Sequence, residues 1–585
     1  MVSKRVLVFG GVVGLVAGLL GVAPGVAASV PPPSAQVAAS APADYVVLYR
    51  QPGASAAART AITRSGGTVT SENAALGYAV VLSSRPDFAT AVEATGVVEG
   101  AARNRVIGTA VQPRRSPVQD VERLTVERAL LGASTAAPAP TGAGTAVAPS
   151  ARPAGDPRTP EPLASKQWDM RQIGATPTGS YAVDKGSRGV LVGVIDTGVD
   201  GTHPDIAPNF DATLSHNFVT DLPVIDGPCE VASCIDPANV DDNGHGTHVA
   251  STIASPANGL GIAGVAPGVT TVNLRAGQDS GYFFLQATLE ALTYAGDIGV
   301  DVVNMSFYTD PWLFNCTNNP ADSPAERSQQ RVIRTATQRA ITYAVRHGVL
   351  PVAAEGNEAT DLGNPTTDLT SPDFPVGAAH PRTVDNSCLN VPAESEGVFV
   401  VSATGPSTRK AYYSNYGTEQ TDVAAPGGDA YDTPDNTLDV TGLVLAAYPN
   451  NVAKAEGTLN PDGTPNTPFV VQDCRGTVCG YYQYLQGTSM AAPHAVGVAA
   501  LAVSHLGTRD PHHPGLTLAP VATAAAVKAS ATATSCPQPR TYHYTRIRTD
   551  GSVAEADATC SGPLRSNGFY GSGIVNAYGA VTSAR

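Results

Sequence analysis

From Trp168 onward, short apolar runs alternate with longer stretches in which apolar residues recur at helical spacing. Val190–Ile195, Val300–Met305 and Val349–Ala354 read as strands. Phe283–Ala295 and Glu326–Val345 read as helices between them, and His245–Ala254 and Ser489 to about Val503 as two more. Runs that stay apolar, instead of alternating with polar residues, belong to strands covered on both faces. The alternation of strand and helix therefore predicts an α/β body with a parallel sheet between helices.

A smaller pattern precedes this body. Tyr45–Tyr49 and Gly77–Leu82 read as strands, and Ala54–Arg64 and Phe88–Ala94 as helices. Val97–Glu99 and Val106–Ile107 read as two further short strands. Together they predict an α+β unit over residues 44–108, small but large enough to fold. Residues 133–162 are dense in Ala, Pro, Thr and Gly and cannot bury a core. The interval 109–165 is therefore expected to be an exposed linker, and the main body to span 166–585.

The first residues change the setting. Lys4 and Arg5 precede an apolar stretch from Val6 to about Ala23, and the small residues Val26-Ala27-Ala28 follow. This predicts an export signal over residues 1–28 and a secreted, extracellular chain with no membrane segment once the signal is removed. Pro24 and the many glycines make a poor spanning helix. A formal net charge of −14 opposes binding to phosphate backbones, which argues against nucleic acid as a partner. The eight cysteines all lie at or beyond residue 229. An even number in an exported chain predicts disulfides. Pairing nearest neighbours gives 229–234, 474–479 and 536–560 and leaves 316–388; spacing alone leaves other connectivities open. No CxxC pair supports zinc.

Three local motifs carry the candidate chemistry. They are Val-Ile-Asp-Thr-Gly at 194–198, Gly-His-Gly-Thr-His-Val-Ala at 244–250 and Gly-Thr-Ser-Met-Ala-Ala-Pro-His at 487–494. An acid, Asp196, ends an apolar strand, where open α/β sheets bind ligands. A base, His245, opens a helix. A hydroxyl, Ser489, starts another helix, whose unpaired N–H groups and positive dipole end favour a developing oxyanion. Asn357, in Ala353-Ala354-Glu355-Gly356-Asn357, follows a strand and supplies a side-chain donor for that oxyanion. Each motif alone has a structural reading as a cap, a turn or a metal pair. The four together, in the order Asp, His, Ser, point to covalent acyl transfer. His248 competes as the base, but its motif position makes it a buried supporting residue; His203 and His494 read as structural.

These motifs resemble those of the subtilisin-like serine proteases, the subtilases, over about residues 166–582. Gly264-Val265-Ala266-Pro267, Ser414-Asn415-Tyr416-Gly417 and Ala425-Pro426-Gly427 are similar to further subtilase stretches. The resemblance implies a three-layer fold with a mainly parallel sheet of about seven strands, and endopeptidase activity on protein or peptide substrates. It implies that Asp196 orients the base, His245 is the base, Ser489 the nucleophile and Asn357 the oxyanion donor. The unit at 44–108 resembles a subtilase propeptide, which implies an intramolecular inhibitor released by cleavage within 134–165. A monomer is expected. No cofactor is needed for the chemistry. A structural calcium ion is implied, with Asp205, Asn258 and Gln167 at matching positions; as turn formers, Asp205 and Asn258 also have a reading without metal.

Substrate-binding residues are expected at Ser306-Phe307-Tyr308, Gly356 and Glu358. Many subtilases have Gly where Tyr308 stands, so a narrowed or reshaped cleft is expected. Glu358 at the rim favours basic side chains or is solvated.

Overall fold

In the computed structural model the described residues are 42–106, 121–124, 128, 160–375 and 377–582. The export signal and most of the linker lie outside them.

The N-terminal unit contains β1 (Ala43–Tyr49), α1 (Ala56–Arg64), β2 (Thr68–Asn73), β3 (Tyr78–Ser83), α2 (Phe88–Glu93) and β4 (Val98–Val106). They form an antiparallel sheet in the order β2-β3-β1-β4. Residues 98–106 form one strand, β4, where two short ones were expected at 97–99 and 106–107, because β1 pairs along it; Ile107 lies outside the described residues. β2 was not legible, since its residues are mostly exposed and polar.

β1 is buried at every position. Tyr45, Val47 and Tyr49 pack on the unit's own core with Ile62 and Phe88. Val46 and Leu48 face the other way, into a core shared with Leu289, Val332, Ile333 and Ala336 of the main body. Period-2 side chains thus serve two cores, which is why this strand is apolar throughout. Full burial of side chains such as Val46 and Leu48 stabilises docking by about 1.5–3 kcal/mol each.

The main body is built on β5 (Leu191–Ile195), β6 (His216–Asn217), β7 (Thr270–Arg275), β8 (Val302–Met305), β9 (Leu350–Ala354), β12 (Phe399–Thr404) and β13 (Val423–Pro426). A separate two-residue pair, β10 (Thr367–Asp368) and β11 (Arg382–Thr383), lies between β9 and β12 in the chain. The seven strands are parallel throughout, in the order β13-β12-β9-β8-β5-β7-β6. This is the seven-stranded parallel sheet that the resemblance implied. The helices are α3 (Trp168–Gln172), α4 (His245–Ala254), α5 (Leu285–Asp297), α6 (Pro324–Arg346), α7 (Asn450–Ala455), α8 (Thr488–Leu506), α9 (Pro520–Ser530) and α10 (Ala577–Thr582). Val192 and Val194 point to the core containing α4 and α8, and Ile195 to the core containing α5 and α6. The sheet is therefore covered on both faces, as its unbroken apolar runs require.

An antiparallel sheet of β14 (Val444–Tyr448), β15 (Val470–Arg475) and β16 (Val478–Leu485), in the order β14-β16-β15, leads directly into α8. All four proposed disulfide pairs are present: 229–234, 316–388, 474–479 and 536–560. Leu163, just before the expected start at 166, donates its N–H to Gly261 O at 2.8 Å.

Candidate active site

Asp196 lies just past the C-terminal end of β5 and is fully buried. Its Oδ1 accepts from the Thr197 N–H at 2.8 Å and meets His245 Nδ1 at 2.7 Å. His245 is the first residue of α4. The helix start is capped from outside by Asp241, which accepts from the N–H groups of Asn243, Gly244 and Thr247 and from the Thr247 hydroxyl. These bonds satisfy donors that a helix N-terminus leaves orphaned. Gly246 must be glycine: a Cβ there would lie 2.1 Å from the Gly198 carbonyl oxygen. That close approach seats the first turn of α4 on the strand end and fixes the Asp196–His245 contact.

Ser489 lies in the first turn of α8, beside the chain leaving β8. Its Oγ donates to Ser306 O at 3.3 Å, and Ser306 Oγ donates to Ser489 O at 3.0 Å. Asn357 follows β9, and its Oδ1 accepts from both the Thr488 N–H and the Thr488 hydroxyl, each at 2.9 Å. Those two bonds fix the amide so that Nδ2 points into the cleft. A donor held there, next to the N-terminus of α8, suits an oxyanion. The structure thus brings Asp196, His245, Ser489 and Asn357 to one site at the C-terminal ends of β5, β8 and β9.

A residue that sequence reasoning missed fills this site. Glu122 lies in the interval read as linker, yet it is 1% exposed. Its Oε2 is 3.3 Å from His245 Nε2, and its Oε1 accepts from Asn357 Nδ2 at 3.3 Å. The next residue, Arg123, is also buried and donates to Glu456 Oε1 (2.6 Å), Tyr448 OH (3.0 Å) and Asn243 O (2.7 Å). The one available signal was the Val121-Glu122-Arg123-Leu124 cluster standing before the Ala/Pro-rich stretch.

Electrostatics separate the histidines. Burial opposes a charge on His245, but the carboxylates of Asp196 and Glu122 outweigh it and raise its pKa well above the ordinary value. Burial holds His248 down to about 3, with His245 adding to the effect. His248 Nε2 is engaged by Val444 O and Gln483 O, a supporting contact and not a base's. His203 bonds Tyr481 O, and His494 bonds Met490 O and Asp169.

The expected cleft residues divide. Ser306 touches Ser489. Phe307 stacks on Phe283 with ring centroids 4.1 Å apart. Tyr308 packs with Leu313, Phe314, Leu362, Val384 and the 316–388 disulfide, and its hydroxyl donates to Asp373 Oδ2 at 2.5 Å. Burial, then the Asp373 and Asp310 carboxylates, raise the pKa of that phenol well above normal. Gly356 has φ +107°, and a Cβ there would strike Asn415. Glu358 is held by Asn415 Nδ2 at 2.6 Å, and burial pushes its pKa up to about 7.

The residues matched to calcium come from three segments that meet around residues 258–263, where each side-chain oxygen accepts at least one hydrogen bond. Asp205 accepts from Asn258 Nδ2, Ile262 N–H and Tyr482 OH. Asn258 Oδ1 accepts from Leu260 N–H, and Gln167 bonds Ala263 through both ends of its amide. These bonds tie Asp205 and Gln167 to the 258–263 stretch. Elsewhere, Asp221, Glu230, Asp236 and Asp279 bring one carboxylate oxygen each within 4.8 Å of one another. Arg275 pairs with three of them. Asp221 Oδ2 has no hydrogen-bond donor, and burial pushes Asp221 up to about 7 and Asp279 to about 8. Four carboxylates against one guanidinium fit a hard cation.

The family model described as "Subtilase family" matches residues 187–573. The chain belongs to the subtilase family. It is 31% identical over 326 residues to a thermophilic serine proteinase of Bacillus sp. (strain AK1), a stretch covering 56% of this chain and 55% of that protein. It is 28% identical over 319 residues to subtilisin DY of Bacillus licheniformis, covering 54% and 78%. Among solved structures, the epidermin leader peptide processing serine protease (EpiP) from Staphylococcus aureus aligns with a TM-score of 0.58 at 20% identity, covering 93% of this chain and 100% of that one. At that identity the likeness shows the fold alone.

Proposed function

We propose that this protein is a secreted serine endopeptidase made as an autoinhibited precursor. The observation that carries the catalytic reading is the convergence of Asp196, His245, Ser489 and Asn357. His245 takes the proton of Ser489 as the hydroxyl attacks the substrate carbonyl, with Asp196 holding the imidazole. Asn357 Nδ2 and the N-terminus of α8 stabilise the oxyanion, and an acyl-enzyme forms and is hydrolysed by water. Secretion is supported by the N-terminal charge and apolar pattern and by four disulfides.

The precursor reading is supported by how the N-terminal unit docks. Arg339 donates to the carbonyls of Tyr49 and Leu76, Asn104 and Gln286 exchange two hydrogen bonds, and Ser328 bonds Glu93. Maturation is placed within 134–165. A structural calcium ion is assigned to the family's habit, with Asp221, Glu230, Asp236 and Asp279 as the fitting ligands. Substrates are proteins or peptides, and the enzyme acts as a monomer.

The test is labelling of the matured protein with a serine-directed phosphonate, beside Ser489→Ala. Labelling of the wild type alone supports the reading; labelling that survives Ser489→Ala overturns it. Mass and N-terminal sequencing of both proteins locate the cut and show whether it needs Ser489.

A further inference from the structure

We propose that Glu122 is a non-cleavable plug: its side-chain carboxylate occupies the oxyanion position, and the segment around it is seated as an inhibitor, not a substrate. This inference rests on the precursor reading and names the residue that would enforce it.

Two facts separate plug from substrate. A bond is cut when its carbonyl carbon faces the nucleophile and its oxygen lies against the oxyanion donors. Here Asn357 Nδ2 is occupied by Glu122 Oε1, a side-chain atom. The main-chain carbonyls are held elsewhere: Glu122 O accepts from Gln486 N–H at 3.2 Å, and Val121 O from Gln486 Nε2 at 3.3 Å. The same carboxylate spans to His245 Nε2, so the base faces Glu122 while Ser489 Oγ turns to Ser306 O. One side chain therefore takes both the base and the oxyanion donor from the nucleophile.

The plug is also locked. Arg123 reaches Glu456, Tyr448 and Asn243 in a buried pocket. Gly487 carries no Cβ, and one there would lie 2.9 Å from Glu122 Cγ. The position before the Thr488–Ser489 turn thus admits the Glu122 stem because it is glycine. While the plug is seated, substrate is excluded and neither located peptide carbonyl, of Val121 or Glu122, can react. Release of residues 121–124 must come before turnover, including cutting of the linker.

The experiment reads phosphonate labelling of the full-length band on a gel, which separates intact precursor from shorter species. Wild type, Glu122→Ala, Glu122→Gln and Arg123→Met are compared, with matured wild type alongside. Glu122→Ala is expected to label roughly tenfold faster or more than wild type in the intact band, the effect of losing one charge-assisted contact. Glu122→Gln, which keeps the shape without the charge, falls between them, and Arg123→Met labels faster through a weakened anchor. If matured protein labels but all three intact variants label at the wild-type rate, the plug is overturned and the protease reading stands. If matured protein does not label either, both are overturned.

Discussion

Asn357 Oδ1 takes two hydrogen bonds from Thr488, one from its N–H and one from its hydroxyl, each 2.9 Å long. The residue next to the nucleophile thereby aims the amide that serves the oxyanion. Removing the donor with Asn357→Ala is expected to lower kcat by ~2.7–4 kcal/mol of barrier, the size of the effect for such a donor in subtilisin. Thr488→Val removes only one of the two aiming bonds. It should reduce kcat less than Asn357→Ala, with KM nearly unchanged, because the orientation matters only when charge develops. Steady-state kinetics of the matured variants on one peptide substrate measure both; a KM effect with constant kcat would contradict the assignment.

The site residues Asp196 and Asn357 were legible in the sequence because each stands in a motif beyond the end of an apolar element. Asp196 follows a strand buried at all but its first residue, and Asn357 comes after a fully buried one. β7 was harder to read. Its sequence Thr-Thr-Val-Asn-Leu-Arg is buried at every position, with Arg275 neutralised by Asp221, Asp236 and Asp279. A polar residue paired inside a core hides the strand that carries it. Glu122 was illegible for a different reason. Nothing local marks it; its role exists only through contacts with His245 and Asn357, which lie far away in the chain.

Glu358 gives a pH-dependent selectivity. Burial raises its pKa to about 7, although the Asn415 amide works in the other direction. A carboxyl with a raised pKa is neutral below that value and charged above it. If it faces the residue before the scissile bond, preference for Arg over Gln there should increase between about pH 6 and 8. Taking the ratio of kcat/KM for two peptides differing at that residue cancels the titration of His245. Glu358→Gln should give a flat ratio; a rising ratio in that variant would assign the effect elsewhere.

The Cys316–Cys388 bridge closes a loop of 72 residues behind Tyr308 and β10–β11. In the chain-entropy model a loop of that length is worth about 4 kcal/mol. Replacing both cysteines by serine should lower stability by up to that amount, measured by denaturant unfolding of the precursor. It should also loosen the wall carrying Tyr308, so discrimination among substrate side chains should weaken before kcat falls. Equal loss of activity on every substrate would instead indicate general unfolding.

The carboxylates of Asp221, Glu230, Asp236 and Asp279 predict a metal effect that can be read without activity. Calcium bound there neutralises charge that Arg275 leaves uncompensated, so adding it should raise Tm and chelation should lower it. Asp236→Asn removes a ligand and should blunt the calcium response. Asp205→Asn, beside the 258–263 stretch, should leave the calcium-dependent shift in place even where it lowers Tm. A response lost only in Asp205→Asn would move the ion to that stretch.

The plug itself should depend on pH through His245. The groups facing it are Asp196 and Glu122, with buried His248 behind and Arg123 adjoining Glu122. Burial works against its charge, the two carboxylates outweigh that, and the pKa lies well above the ordinary value. A histidine with a raised folded pKa contributes stabilisation that is complete below the unfolded value of about 6.5 and is lost as pH rises through the folded value. The His245 share of the Glu122 contact should therefore be intact in neutral solution and weaken in alkali, where His245 becomes neutral and competent as a base. Phosphonate labelling of the intact precursor should rise with pH to a higher midpoint than in the matured enzyme, which has lost Glu122. In Glu122→Gln, where one of the two carboxylates is gone, the midpoint should move down toward that of the matured form. Identical midpoints in all three would mean that Glu122 does not act on His245.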